Sequence, residues 1–299
     1  MEPISPGNIT VDDINLPQLV EKNISAAVLR LDKIHPLLPG NKWFKLKNYL
    51  EEARAGNKKN IVTFGGAYSN HILATAAACH GQGFSSTGII RGEEPAQWSP
   101  TLQQAAALGM ELIFISREDY GVRNIPAHIF ENENNYLVPE GGYGKKGADG
   151  ASLILDFAGD HFFTHIACAV GTTTTMAGLV KAAQAGQTVT GISVMKNNDG
   201  LENEMKALLS QEESRKPFSI SHEYHFGGYA KHTQALLDFM NDLYRQTSIP
   251  TDFVYTGKLF YAILDLISRN YFPPGSSILL IHSGGLQGNL SLAPGRLIF

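Results

Sequence analysis

Cysteine is scarce. Cys79 and Cys168 are the two in a chain of 299 residues, and their separation rules out a CxxC redox pair or a zinc knuckle, so both read as core residues. A surplus of one charge is also missing: the formal net charge is -4, and lysine and arginine are scattered along the chain. That excludes the basic stripe of a nucleic-acid binder and the polybasic face of a protein held to anionic lipid. No run approaches the roughly 20 apolar residues that cross a bilayer. Residues 1–20 lack a basic region followed by an apolar core, so a cytoplasmic protein is expected, with no membrane and no nucleic acid among its partners. The ten histidines show no metal-ligand spacing, so no metal is expected. Fixed-period repeats are lacking as well, which excludes a solenoid. A small molecule is left as the natural partner.

The composition, 43% hydrophobic and 17% charged, allows a full core, and the length favours two domains. Short apolar runs alternate with longer amphipathic ones, the pattern of an α/β fold around mainly parallel sheet. Strands are predicted over 61–64, 87–91, 111–115, 165–169, 188–195 and 277–281. Helices are predicted over 47–55, 72–80, 102–108, 176–185, 232–245 and 258–269. Residues 139–150, PEGGYGKKGADG, read as too glycine-rich for a regular element and mark a domain boundary, with a helix-like ASLILDFAGD segment after them. A second break is expected near Asn41, after a turn at residues 37–40 that contains Pro39 and Gly40. The expected division is 1–46 with 151–299 as a large domain, and 47–150 as a small inserted one.

Three polar clusters stand at predicted helix starts. Gly40-Asn41-Lys42-Trp43-Phe44-Lys45 places Lys42 after a turn, where the helix dipole opposes a second positive charge and Lys45 adds a like charge nearby. Such a lysine is more easily deprotonated and can act as a nucleophile toward a carbonyl, though most surface lysines at helix starts are merely solvated. Gly65-Gly66-Ala67-Tyr68-Ser69-Asn70-His71 follows a strand, where α/β sheets bind ligands, and Ser69 or Asn70 is equally a plain N-cap. Gly171-Thr172-Thr173-Thr174-Thr175 opens a helix with hydroxyls and free amides, a phosphate cradle or a simple turn. No Walker lysine follows it. Gly142 to Gly147 matches the GxGxxG string but lacks the strand before it and the acidic residue after it, so a dinucleotide site is rejected. Near the C-terminus, Tyr255-Thr256-Gly257-Lys258 and His282-Ser283-Gly284-Gly285 again occupy strand ends or helix starts. Tyr229 and Tyr255 read as buried packing or as site residues.

Taken together, Asn41, Lys42 and Lys45 in an Asn-Lys-x-x-Lys pattern, followed by Ser69-Asn70, resemble the family of 1-aminocyclopropane-1-carboxylate (ACC) deaminases and D-cysteine desulfhydrases, over nearly the whole chain. These are pyridoxal-phosphate enzymes of the tryptophan-synthase β-like fold (PLP fold type II), with two open twisted mainly parallel sheets flanked by helices. The resemblance implies pyridoxal 5'-phosphate as cofactor, Lys42 as Schiff-base lysine with Lys45 beside it, Asn70 at the phenolic oxygen and Gly171, Thr172, Thr173, Thr174 and Thr175 at the phosphate. It implies Tyr229 and Tyr255 on the substrate side, and Ser69 with Tyr255 at the substrate carboxylate. The deaminases carry Glu and Leu where this chain has Thr256 and Ser283, whereas the desulfhydrases carry small hydroxyl residues at both. The expected reaction is therefore α,β-elimination of D-cysteine or a similar amino acid to pyruvate, ammonia and sulfide, by a homodimer. ACC deamination, a β-replacing synthase and a non-enzymatic binder of phosphate ligands are the alternatives. The chain departs from the family pattern at HFGGYAKH (residues 225–232) and at His71, where the deaminases have glutamine.

Overall fold

The computed structural model describes residues 5–35, 38 and 40–299. Leu37 and Pro39 of the expected break lie outside the described residues. Within them, ten strands form two sheets: β1 (Val11–Ile14), β2 (Ser25–Arg30), β3 (Asn60–Gly65), β4 (Ser85–Arg91), β5 (Met110–Ile115), β6 (Asn135–Leu137), β7 (His165–Val170), β8 (Thr188–Ser193), β9 (Phe218–Ser221) and β10 (Ser277–His282). The larger sheet has the order β1-β2-β10-β7-β8-β9 and the smaller the order β5-β4-β3-β6. Every pairing is parallel except β1 with β2. Parallel strands are covered on both faces by helices, so they read as continuous apolar runs, and β10 is buried along its whole length. The predicted α/β class and the two open, mainly parallel sheets are those observed.

All six predicted strands are found, as β3, β4, β5, β7, β8 and β10. The short β1, β6 and β9 and the alanine-containing β2 were not predicted, because three or four half-buried residues carry too little periodicity to register. The glycine-rich stretch at 139–150 is a correction: Lys145–Ser152 is a helix. Glycine serves close packing there. A Cβ on Gly147 would lie 2.1 Å from the Gly142 carbonyl oxygen, and one on Gly150 would lie 2.0 Å from the Phe44 carbonyl oxygen, so the helix seats directly on the backbone of helix Gly40–Ala55. Gly178 of helix Thr174–Ala182 meets the same helix, its added Cβ falling 2.5 Å from Ala151 Cβ. The segment after it is a short 3-10 turn, Leu153–Phe157, rather than the helix-like element expected over 151–160. Positions 46/47 and 150/151, the expected domain boundaries, fall inside helices Gly40–Ala55 and Lys145–Ser152.

Both sheets place a reversal of strand order at the same end. In the larger sheet the chain leaves β7 toward β8, while β10 lies on the other flank of β7. In the smaller one it leaves β3 toward β4, while β6 lies on the other flank. A crevice opens outside the carboxyl ends of strands at such points. The loops that follow β7, β10, β3 and β6 begin at Gly171, Ser283, Gly66 and Val138, three of them within the polar clusters read from the sequence.

Candidate active site

Helix Gly40–Ala55 brings Lys42 and Lys45 between the sheets. A Cβ at Gly40 would lie 2.2 Å from the Leu31 carbonyl oxygen, so only glycine lets the helix begin this close to the strand-end turn. Lys42 is half-buried, and loss of water lowers its ammonium to about 8, with a hydrogen bond to Lys45 working in the opposite direction. Lys45 is 1% exposed and is lowered well below its ordinary value by burial first and by Lys42 second. The expectation that Lys45 depresses Lys42 is thus inverted. Burial is the first cause at both lysines, and their interaction adds to it at Lys45 while opposing it at Lys42. Its Nζ donates to Thr172 Oγ1 at 3.2 Å, and Asn41 Nδ2 donates to Thr175 Oγ1 at 3.3 Å. The lysine helix is thereby tied to the threonine loop.

In that loop, Thr173 and Thr174 are fully buried and Thr175 is 5% exposed. Thr173 Oγ1 donates to Glu204 Oε2 at 3.3 Å, so its side chain is turned to helix Leu201–Leu208. The Thr174 hydroxyl has no hydrogen-bond partner among the described residues. A buried hydroxyl left so costs roughly 1–3 kcal/mol, which a phosphate oxygen at the amino end of helix Thr174–Ala182 would offset. Gly171 faces Tyr255, whose Cε1 would be 3.1 Å from an added Cβ.

Across the crevice, Ser69 caps helix Asn70–Gln82 by accepting from the amides of His71 (3.2 Å) and Ile72 (3.4 Å). Its own hydroxyl hydrogen stays free for a ligand. Asn70 lies close to Gly285, where an added Cβ would fall 2.6 Å from Asn70 Nδ2. This joins the β3 loop to the β10 loop. His71, 3% exposed, is fixed in one tautomer by its neighbours. Thr63 Oγ1 gives its single hydrogen to the Val138 carbonyl (2.9 Å), so it can only accept from His71 Nε2, 2.8 Å away. Nδ1 therefore carries a lone pair, and it has no partner among the described residues. Burial, then Lys42 and Lys45, hold the ring neutral, well below its ordinary value.

The third wall comes from the C-terminal part of the chain. Asp252, fully buried, accepts from the amides of Val254, Tyr255 and Thr256 (2.9, 2.9 and 2.8 Å) and from Thr256 Oγ1 (2.7 Å). The turn that presents Tyr255 is built on this carboxylate, and the Thr256 hydroxyl hydrogen is committed to it. Burial, then the neighbouring Tyr229, hold Tyr255 protonated far above its ordinary range. The two rings pack edge-on with centroids 6.0 Å apart, although Tyr229 itself is 47% exposed. Lys258, one turn into helix Thr256–Ser268, is fully buried, and its Nζ donates to the carbonyls of His225 (2.8 Å), Gly228 (2.8 Å) and Val194 (3.4 Å). It pins the loop that carries Tyr229. At the end of β10, His282 Nε2 bonds the Pro250 carbonyl at 2.6 Å, and the backbone carbonyl of half-buried Ser283 accepts from the Asn41 amide at 3.4 Å. Asp252 and Lys258 were not singled out from sequence. Asp four residues before Thr-Gly at a helix start is a capping pattern, and a lysine within an apolar helix is a further signal.

The sequence pattern of the family described as pyridoxal-phosphate dependent enzyme matches residues 10–284. The mitochondrial bifunctional D-cysteine desulfhydrase/1-aminocyclopropane-1-carboxylate deaminase of Arabidopsis thaliana is 30% identical, over 84% of this chain and 70% of its own length. A D-cysteine desulfhydrase of Yersinia pestis is 24% identical, over 89% of this chain and 88% of its own. The crystal structure of an ACC deaminase homologue superimposes with a TM-score of 0.80 at 24% identity, covering 96% of this chain and 92% of the other, which bears on the fold. The donor set fits pyridoxal phosphate: a depressed lysine for the aldehyde, an unsatisfied buried hydroxyl at a helix amino end for the phosphate, and an amide, Asn70, beside the crevice. The chain belongs to the family of pyridoxal-phosphate dependent enzymes, and within it to the ACC deaminases and D-cysteine desulfhydrases.

Proposed function

We propose that the enzyme removes a β-substituent from a small amino acid, with D-cysteine as the preferred case: cysteine and water give pyruvate, ammonia and hydrogen sulfide. The observation that carries this reading is at the Tyr255 turn, where every carboxylate oxygen is spoken for. Asp252 is consumed by three amides and the Thr256 hydroxyl, which leaves the half-buried Ser283 as the group assigned to the cofactor's ring nitrogen. Pyridoxal phosphate, when bound, supplies an electron sink for the pair left at the substrate Cα, and a neutral hydroxyl partner makes that sink weaker than a carboxylate would. Expulsion of a thiolate needs less of it than opening a carbon ring does.

The roles of the side chains follow from their partners. Lys42 is assigned the bond to the cofactor and, once displaced by the substrate amine, the proton at Cα. Asn70 is assigned to the phenolic oxygen, and Gly171, Thr172, Thr174 and Thr175 to the phosphate, with Thr173 contributing through its backbone. Ser69, whose hydrogen is uncommitted, and Tyr255, which stays protonated, are donors suited to the substrate carboxylate. Tyr229 closes the outer side. The test is a substrate panel scored for pyruvate and sulfide against 2-oxobutyrate from ACC. Turnover of ACC above that of every β-substituted amino acid would overturn the reading, and 2-oxobutyrate alone would replace it with ACC deamination.

A further inference from the structure

Arginine is treated unevenly in this molecule. Arg30, Arg123, Arg245 and Arg269 each face a carboxylate. The side chains of Arg91 and Arg117 have no hydrogen-bond or ion-pair partner among the described residues, and the Arg91 guanidinium lies over the ring of Tyr120. Arg91 ends β4, Arg117 opens helix Arg117–Gly121 directly after β5, and Arg123 follows that helix. All three therefore stand at the carboxyl edge of the small sheet, the edge where α/β sheets bind ligands.

Together with Tyr120 and Gly121 they line a cavity of ≈ 550 Å³, with no carboxylate among its lining residues. Two of the guanidinium groups share one aromatic support: the central carbons of Arg91 and Arg123 lie 5.8 and 5.1 Å from the centroid of Tyr120, and Arg123 is also 4.9 Å from that of Phe64. Stacking on a ring holds the planar fork in place and leaves its edge free for an oxyanion. Arg123 meets Glu140 at 3.3 Å, so one of three charges has a counter-charge. All three guanidinium groups are solvent-exposed, yet they gather around one open depression, where like charges raise the local potential for an anion. The cavity also touches the catalytic loop. A Cβ at Gly66 would find a single neighbour, Arg91 Nη2 at 3.5 Å, and the Gly66 carbonyl accepts from the Ser69 amide at 3.0 Å.

We propose that Arg91, Arg117 and Arg123 form a second binding site for a doubly charged oxyanion, a phosphate or a dicarboxylate, set beside the Gly66 turn and separate from the cofactor's threonine cradle. The charge comes either from a free anion or from the side-chain end of a larger amino acid lying along that turn. The test is calorimetric titration of the holoenzyme, its threonine cradle filled by the cofactor, with inorganic phosphate at constant ionic strength. Saturable binding is expected, weakened about tenfold or more in R91Q/R117Q and unchanged in K206Q. Binding of that kind establishes the site, and kinetics assign its source. A loss in kcat/KM for O-phosphoserine but not for D-cysteine in the double variant assigns it to the substrate. A phosphate-dependent KM for D-cysteine, absent in the double variant, assigns it to a free anion. Phosphate heats equal in the parent and R91Q/R117Q, or no more than chloride gives, overturn the site and leave the elimination reading untouched.

Discussion

Two loops of the larger sheet that both adjoin Tyr255 are built on opposite plans. Residues 171–175 are held by three separate side-chain hydrogen bonds from two helices, two through Asn41 and Lys45 and one through Glu204, with Thr173, Thr174 and Thr175 buried. Residues 225–231 carry positive φ at Phe226 (51°), Gly227 (96°), Gly228 (122°) and Ala230 (52°), leave Tyr229 half outside, and are fastened largely by one ammonium, Lys258. Strained backbone persists where surrounding contacts enforce it, and here most of that enforcement sits on one side chain. The loop proposed for the cofactor is thus redundantly held, and the loop proposed for the substrate hangs on few contacts. Variation in the second loop can change substrate choice without disturbing cofactor chemistry, which suits the departure of HFGGYAKH from the family pattern.

The largest expected effect tests the redundant half at its one irreplaceable residue. Lys42→Ala should lower turnover by about 10³-fold or more, because it removes the residue proposed as both covalent tether and proton carrier. Borohydride reduction of the parent followed by peptide mapping should place the cofactor on Lys42, and a label on Lys45 would sink the assignment. The pH dependence has a definite sign. Only the neutral amine attacks an aldehyde, and Lys42 titrates at about 8. Capture of added cofactor by the apo-enzyme should therefore climb about tenfold per pH unit below that value and level off above it. A rate still climbing at pH 10 would mean that Lys42 keeps an ordinary amine pKa.

Next in size, Thr174→Asp should weaken cofactor retention about 100-fold, since a carboxylate at the helix amino end repels the phosphate. Thr174→Val removes only the hydroxyl and should cost a few-fold, because the neighbouring bonds remain. Equal losses in the two variants, measured by equilibrium dialysis, would show that the loop is not redundant.

The other half breaks differently. Lys258→Met leaves three carbonyls without their donor, a loss of roughly 3 kcal/mol in stability. With the Tyr229 loop released, KM for the amino acid should rise about tenfold while cofactor affinity stays within about twofold. Should cofactor affinity fall as far as KM rises, the contrast between the loops would disappear.

What could be read from sequence follows the same division. Lys42, Lys45, Ser69 and Asn70 announce themselves because a strand or turn, a polar cluster and a helix start come in order along the chain, and the structure gathers them into one crevice. Six strands were legible from apolar runs alone. Thr256 stands out in the sequence as the small hydroxyl residue where the deaminases carry Glu, but that its hydrogen belongs to Asp252 is set by turn geometry rather than by residue type. The His71 tautomer depends on Thr63 and Val138, brought together only when β6 pairs with β3. Lys258 reaches carbonyls more than 29 residues away. The helix at Lys145–Ser152 defied its glycines because their worth lies in the neighbouring helix, which local propensity does not register.

The smallest effect sharpens the comparison most directly, because it asks whether the strain in the Tyr229 loop is real. Ala230 is exposed and holds φ at 52°, a conformation that costs an L-residue about 1–2 kcal/mol and costs glycine almost nothing. Ala230→Gly removes that strain, but it also frees the unfolded chain, which offsets about 0.4–1 kcal/mol. The net gain should be at most about 1 kcal/mol, a rise in Tm of roughly 2 °C. Phe226 offers the control. It has a similar φ of 51°, yet its ring packs edge-on against Tyr261 with centroids 4.9 Å apart, so Phe226→Gly relieves the same strain while losing a buried contact and should destabilise the protein. If Ala230→Gly lowered Tm as Phe226→Gly does, the backbone of this loop would be relaxed in its positive-φ form, and its looseness would have to come from sparse anchoring alone.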